Sequence, residues 1–318
     1  MLYKCLRNEL NIPIEHSKYA HLNLPSGYLR ISITDKCNMN CSYCHNEGQV
    51  CPSSKDMTVN LLRYIVTNAL RYGLVKVRIT GGEPLLHPDC YEMLYILKKE
   101  LRINTVGFNT NGVLIDKLIP LVEDKLIDDL VVGVDYVDGA VSKDSCSGLA
   151  SEKILKNILY VRDSGQKVSI ACVYDGDYNR FEKMAEWCIE NNITLKALEV
   201  CDDFRHNRIS NEFLSMIEKT LKRFSMKLGI IINLGEYYGA IGGLPKIYFF
   251  QSHCRLRECK ICAKIHIRVT SDGYIKSCIL NDIKYPLFSS SFDDSMVKII
   301  NNLGFTPEER VSNLNEPL

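Results

Sequence analysis

The 318-residue sequence has no run approaching the ~20 consecutive apolar residues that a membrane-spanning helix needs, which argues against that class of protein. Its first residues, Met-Leu-Tyr-Lys-Cys-Leu-Arg-Asn-Glu, contain no apolar stretch of the signal-peptide kind, so no secretory signal is expected. Charge of one sign is also scarce. A formal net charge of +1 argues against a chain-wide field for nucleic acid, while leaving room for a local basic pocket. Neither an internal repeat nor a low-complexity linker breaks the chain. With 46% hydrophobic and 24% charged residues it reads as an ordinary soluble globular protein, long enough for one large α/β core or two smaller ones.

Cysteine is what the sequence has in excess. Fourteen cysteines without a secretory signal point to a reducing cytoplasm and to metal ligation, not to a disulfide framework. Cys5, Cys51, Cys90, Cys146, Cys172, Cys188 and Cys201 are scattered and read as small buried hydrophobes. The others form two clusters. The first is Cys37-Asn-Met-Asn-Cys41-Ser-Tyr-Cys44, directly after a β-like run. Three thiolates this close are not independent core positions, and soft sulfur ligands at such spacing select zinc or an iron–sulfur cluster. A [4Fe-4S] cube on three cysteines leaves one iron open for chemistry, whereas structural sites are usually fully ligated by protein. A zinc knuckle drawing its fourth ligand from His45 is the alternative. The second cluster is Cys254-x4-Cys259-x2-Cys262-x15-Cys278. Asp272-Gly273 reads as a two-residue hairpin turn between Ile265–Thr270 and Tyr274–Ser277, which would return Cys278 towards Cys259 and Cys262 and close a metal site. Spacing alone leaves zinc and iron–sulfur both open there.

Between the clusters, β-branched runs alternate with amphipathic segments, the pattern of βα units around a parallel sheet. Strands are expected at Leu29–Thr34, Lys76–Thr80, Thr105–Asn109, Leu130–Asp135, Lys167–Tyr174 and Thr194–Val200. Helices are expected near Thr58–Tyr72, Asp89–Leu101, Leu114–Asp124, Ser151–Asp163, Phe181–Glu190 and Asn211–Met226. Six units are fewer than the eight of a closed barrel, so the expected fold is α/β, a partial (β/α)6 TIM-like barrel. The rhythm changes near residues 229–243. The expected organisation is an N-terminal extension over 1–27, the partial barrel over 28–227 and a smaller β-containing iron–sulfur domain over 228–318.

Two turns follow barrel strands. In Gly81-Gly82-Glu83-Pro84, adjacent glycines let a ligand approach backbone amides, and a carboxylate at a strand's C-terminal end can receive a cation. Thr110-Asn111-Gly112 is either a ligand contact or an ordinary Asn-Gly turn. Lys76 and Arg78, two residues apart on one strand, point to the same face. Basic groups on the inward face need an anionic partner, either a bound phosphate or carboxylate or an internal salt bridge.

The C-x3-C-x2-C motif with Tyr43 before its last cysteine, together with the Gly-Gly-Glu-Pro turn, resembles the radical S-adenosylmethionine (SAM) superfamily. The runs Tyr28 to Cys37 and Lys76 to Leu86, with the two clusters in this order, resemble more narrowly the GTP 3′,8-cyclase family of molybdenum cofactor biosynthesis, over residues 24 to 282. The resemblance implies the same partial barrel and two [4Fe-4S] clusters, the first on Cys37, Cys41 and Cys44 and the second on Cys259, Cys262 and Cys278. Cys254 is available as a fourth ligand there, which would leave the second cluster to relay electrons instead of holding substrate. Tyr43, Gly81, Gly82, Glu83 and Thr110 are implied around SAM, and Arg30, Lys76, Arg78 and Arg268 on the substrate side. In that family the first cluster cleaves SAM and the second binds GTP, whose C3′ hydrogen is abstracted to start cyclisation onto C8. An external electron donor such as flavodoxin or ferredoxin is implied, a homodimer is allowed, and neither nucleic acid nor membrane is an expected partner.

This chain departs from the family at Gly133, where a serine is usual, at Lys196, where an arginine is usual, and in the run Ala263-Lys264-Ile265-His266-Ile267-Arg268. It ends in Asn-Glu-Pro-Leu where the family has a Gly-Gly tail. A radical SAM enzyme oxidising or crosslinking a peptide or other small substrate is the alternative function, and a non-catalytic metal scaffold a third.

Overall fold

The computed structural model describes residues 28–49, 55–70, 76–137, 151–200, 209–231, 236–250, 266–276, 279, 283–287 and 292–301. The first 27 residues and Cys254, Cys259, Cys262 and Cys278 of the second cluster lie outside them.

Six parallel strands run in chain order: β1 (Tyr28–Ser32), β2 (Lys76–Thr80), β3 (Thr105–Thr110), β4 (Asp129–Gly133), β5 (Val168–Tyr174) and β6 (Thr194–Glu199). They alternate with α1 (Val59–Leu70), α2 (Cys90–Tyr95, continuing as a π-helical turn Ile96–Glu100), α3 (Ile115–Glu123), α4 (Ser151–Asp163) and α5 (Tyr178–Glu190). A further helix, α6 (Ile209–Arg223), follows β6. Each expected strand is present, with ends moved by at most two residues. The period-2 pleat explains why. On β2, Val77 and Ile79 are fully buried under the helices, leaving residues 76, 78 and 80 to the opposite face. On α1 the matching stripe is Leu62, Ile65, Val66 and Ala69, all buried. Phe108, Phe181, Phe213 and Phe249 are the largest apolar side chains completely enclosed.

The parallel array is wider than six. After α6 come β7 (Lys227–Ile231), β8 (Glu236–Ile241), β9 (Leu244–Phe250), β10 (His266–Val269), β11 (Tyr274–Lys276) and β12 (Tyr285–Pro286). Of these, β10 pairs parallel to β1, and β9 pairs parallel to β6. Antiparallel β11 and β12 extend one edge, and β8 and β7 the other. Among the described residues the order is β12-β11-β10-β1-β2-β3-β4-β5-β6-β9-β8-β7, a linear, open sheet that forms a partial TIM-like barrel. A last helix, α7 (Phe292–Asn301), packs on β11 and β12.

The β10–β11 turn is one residue longer than expected. Thr270 N donates to Tyr274 O at 2.8 Å and Gly273 N to Thr270 O at 3.0 Å, so Ser271, Asp272 and Gly273 form a three-residue loop. The Thr270 hydroxyl oxygen accepts from Tyr274 N at 3.0 Å, taking a bond a two-residue turn would have left to the ladder, and Gly273 supplies the positive φ of +82°.

Candidate active site

The C-terminal ends of β2 to β4 and the middle of β5 surround a cavity of about 210 Å³ beneath the cysteine loop. Its walls include Cys41, Tyr43, Thr80, Gly82, Thr110 and Asp135. That loop is laid down by the Gly-Gly-Glu turn. Gly82 N donates to Thr34 O and Glu83 N to Lys36 O, both at 2.8 Å, so the segment entering Cys37 is zipped to the end of β2. The contact leaves no room for side chains. A Cβ on Gly81, whose φ is +147°, would lie 2.3 Å from Thr34 O, and one on Gly82 would lie 2.1 Å from Lys36 O. Asp56 clamps the same segment from outside, accepting from Thr34 Oγ1 at 2.6 Å and Lys36 Nζ at 2.7 Å.

Cys37 and Cys44 are exposed and Cys41 is half-buried. Two of the sulfurs receive backbone N–H groups, Cys37 from Met39 at 3.4 Å and Cys44 from Asn46 at 3.3 Å. Asn111 Nδ2 lies 3.9 Å from Cys37 Sγ and donates to Asn38 Oδ1 at 2.7 Å. Among the described residues no three His, Cys, Asp or Glu side chains gather around a single point. Three soft thiolates on one eight-residue stretch fit a cube, in which each meets a different iron and the fourth iron stays open.

Glu83 does not face the cavity. It is fully buried, and its carboxylate accepts from Thr110 Oγ1 at 2.8 Å, Asn111 N at 2.7 Å and Leu85 N at 3.1 Å. Burial raises its pKa against the pull of those donors. Its role in this geometry is to hold the Thr110–Asn111 turn against the cysteine loop. Tyr43 reaches the barrel by donating its hydroxyl to Asp135 Oδ2, while Asp135 Oδ1 accepts from Val173 N at 2.9 Å. Burial, then the Asp135 charge, push the Tyr43 hydroxyl well above its ordinary range.

Residues 31–188 match the family model described as the radical SAM superfamily. A "Probable GTP 3′,8-cyclase" of Methanococcus aeolicus is 30% identical over 266 residues, covering 80% of this chain and 85% of that protein. The chain belongs to the radical SAM superfamily. A GTP 3′,8-cyclase of Clostridium perfringens is 29% identical over 265 residues, covering 79% of this chain and 80% of that one. In fold, this radical SAM enzyme is similar to Streptococcus suis SuiB bound to S-adenosylmethionine, with a TM-score of 0.64 at 19% identity. That match covers 84% of this chain and 64% of SuiB, so the chain spans less than two thirds of that neighbour's length. It is similar also to anSMEcpe with bound AdoMet, with a TM-score of 0.63 at 15% identity, covering 87% and 82%. As a radical SAM enzyme it takes SAM and a [4Fe-4S] cluster.

The barrel lumen of this radical SAM enzyme is lined by a row of cations. In strand register Lys276 pairs with Arg268, Arg268 with Arg30, Arg30 with Arg78, and Arg78 with Gly107, so four basic side chains stand side by side across β11, β10, β1 and β2. Gly107 makes the row possible, because a Cβ there would lie 2.7 Å from the Arg78 guanidinium carbon. Lys196 on β6 adds a fifth charge, 4.0 Å from Asp129 Oδ2. Lys76 shares the Arg78 face at the N-terminal end of β2.

Among the described residues Glu47 and Asp129 answer them, and neither was singled out in the sequence. Arg78 donates to Asp129 Oδ2 and, at 3.0 Å, to Asn109 Oδ1. Glu47, buried, accepts from Arg30 and, at 2.9 Å, from Thr80 Oγ1, with Arg268 Nε 3.6 Å away. Burial opposes ionisation of both carboxyls, but Arg30 beside Glu47, and Lys196 with Arg78 beside Asp129, hold both pKa values below the ordinary range. Burial lowers Lys196 to about 8. Among the described residues, a Cβ on Gly133, at the cavity wall, would have only Thr110 O within 4 Å, at 3.9 Å.

Proposed function

We propose that this radical SAM enzyme abstracts hydrogen from a nucleotide, GTP or a close relative, in the manner of a GTP 3′,8-cyclase-like lyase of molybdenum cofactor biosynthesis. The observation that carries this reading is the lumen charge. Among the described residues Arg30 and Arg268 meet Glu47, Arg78 and Lys196 meet Asp129, and Lys276 stands beside Arg268 in register with its ammonium on Gly48 O, all below the cavity. Basic side chains gathered on one lumen face suit an anionic guest, to which charge-assisted bonds from several of them can converge on phosphate oxygens. The relatives named GTP 3′,8-cyclase support the same substrate class.

In this reading Cys37, Cys41 and Cys44 hold the first [4Fe-4S] cluster, and SAM fills the cavity against Tyr43, Gly82 and Thr110, with Gly81 and Glu83 acting from behind that lining. When bound, the cluster and SAM supply the one-electron chemistry that yields a 5′-deoxyadenosyl radical. The protein's own part is to position and to exclude. Glu83 and the paired glycines fix the loop, Tyr43 is tethered to Asp135, and Arg30, Arg78 and Arg268, with Lys76 below them, orient the phosphates. A second [4Fe-4S] cluster on Cys259, Cys262 and Cys278 would contact the base, and electrons would come from a flavodoxin or ferredoxin. Cys254 favours the second reading, oxidation or crosslinking of a peptide or small substrate, because a fourth thiolate would close that cluster.

The test is nucleotide binding. GTP is expected to bind the reconstituted enzyme and perturb the spectrum of its C-terminal cluster, and Arg268→Ala to weaken binding by about 1–3 kcal/mol, the range for a lost charged hydrogen bond. Absence of GTP binding, with iron shown on Cys254, would favour the peptide class.

A further inference from the structure

The loop leaving Cys44 does something a simple exit would not. Asn46, Glu47 and Gly48 have φ of +43°, +51° and +81°, three consecutive left-handed residues of which only one is glycine. The conformation drives Glu47 into the cation row. Its carboxylate accepts from Arg30 Nη2 and, at 3.3 Å, from Arg30 Nε, with Thr80 Oγ1 at 2.9 Å and Arg268 Nε at 3.6 Å. Gly48 O accepts from the buried Lys276 Nζ at 2.5 Å. Gln49 completes the clasp, donating to Ser32 Oγ at 2.8 Å and accepting from Ser271 N and Ser271 Oγ at 2.9 Å. The segment from Asn46 to Gln49 thus joins the cysteine loop to the β10–β11 hairpin, with Glu47 three positions after Cys44 and Lys276 two positions before Cys278 in the chain.

We propose that Glu47 is a positioning residue, an internal anion that holds the Arg30–Arg268 pair until a substrate phosphate takes its place, and whose displacement resets the loop carrying Cys44. This rests on the reading of the lumen as an anion site. The reasoning is electrostatic and conformational. Two guanidiniums on adjacent strands share one carboxylate, and a polyanion entering the lumen competes for them and repels Glu47 in a medium of low dielectric. The left-handed backbone at Asn46 and Glu47 costs about 1 kcal/mol or more per residue and persists only while the counterions hold it. Removing those counterions therefore releases the segment next to Cys44. Substrate occupancy and the setting of the cysteine loop are linked by this one side chain, and linkage is reciprocal.

The probe is inorganic tripolyphosphate, added to anaerobically reconstituted wild-type protein and to Glu47→Gln and Glu47→Asp. Calorimetry reads affinity, electron paramagnetic resonance of the reduced N-terminal cluster reads the loop, and hydrogen exchange over residues 44–49 and 268–276 of the wild type gives a result independent of whether a variant folds. With the competing charge removed, Glu47→Gln is expected to bind tripolyphosphate about tenfold or more tighter than wild type. Tripolyphosphate should shift the resonance spectrum and the exchange of both segments in wild type, leave the Glu47→Gln spectrum unchanged, and shift that of Glu47→Asp. A purely structural carboxylate would give weaker binding when removed, not tighter. If Glu47→Gln binds no tighter, or wild type binds with neither exchange nor spectrum altered, Glu47 is a counterion only and the proposal falls while the lumen stands as an anion site. If neither tripolyphosphate nor GTP binds any of these proteins, the lumen is not a nucleotide site and both conclusions fall together.

Discussion

Lys196 and Asp129 face each other across the lumen 4.0 Å apart, and the pairing does not fully offset the cost of burying the ammonium. With its pKa lowered to about 8, the Lys196 cation is complete below that pH and is lost as pH rises through it, whereas an arginine there would stay charged. Nucleotide binding is therefore expected to weaken by about tenfold or more between pH 7 and 9.5, through loss of one charged contact. Lys196→Arg should flatten that profile. Binding by calorimetry across the range checks it, and a flat wild-type profile would remove Lys196 from the site. In the sequence Arg78, with Lys76, stood out as a basic pair on one strand, Arg30, Arg268 and Lys196 were picked out through the resemblance to the family, and Lys276 was not singled out. Nor were their counterions. Glu47 lies in a loop 17 residues from Arg30, and Asp129 lies 51 residues from Arg78, so only the fold brings them together.

The Gly-Gly-Glu turn and the cysteine loop behave as one element. Spacing in the sequence suggested glycines for a ligand's approach, but the structure gives them a nearer reason, because the backbone of Thr34 to Lys36 already occupies that space. Gly82→Ala would press a methyl group against the Lys36 carbonyl and unzip two 2.8 Å hydrogen bonds. The expected outcome is a barrel that keeps its circular dichroism but retains little iron on the first cluster after reconstitution. Full iron loading would show that the loop docks independently of the turn. Strand positions were readable because buried parallel strands are β-branched and bounded by turns. The parallel seating of β9 and β10 was not, since each reaches its partner through a long connection that periodicity does not record.

At the scale of the whole molecule, the segment after β6 extends both edges of the barrel sheet, and β10 and β11, which lie between Cys262 and Cys278 in the chain, continue that sheet from β1. Iron analysis after anaerobic reconstitution should give about eight irons per chain, from two four-iron clusters. About four irons with one zinc would put zinc at the second site. Hydrogen transfer from a nucleotide to the adenosyl fragment of SAM is the step on which the proposed function depends. The most direct measurement is mass spectrometry of the 5′-deoxyadenosine formed when the reduced enzyme is incubated with SAM and GTP deuterated at C3′. The expected product carries deuterium and appears together with a cyclised nucleotide; 5′-deoxyadenosine formed in the presence of this GTP but free of deuterium would contradict the assignment.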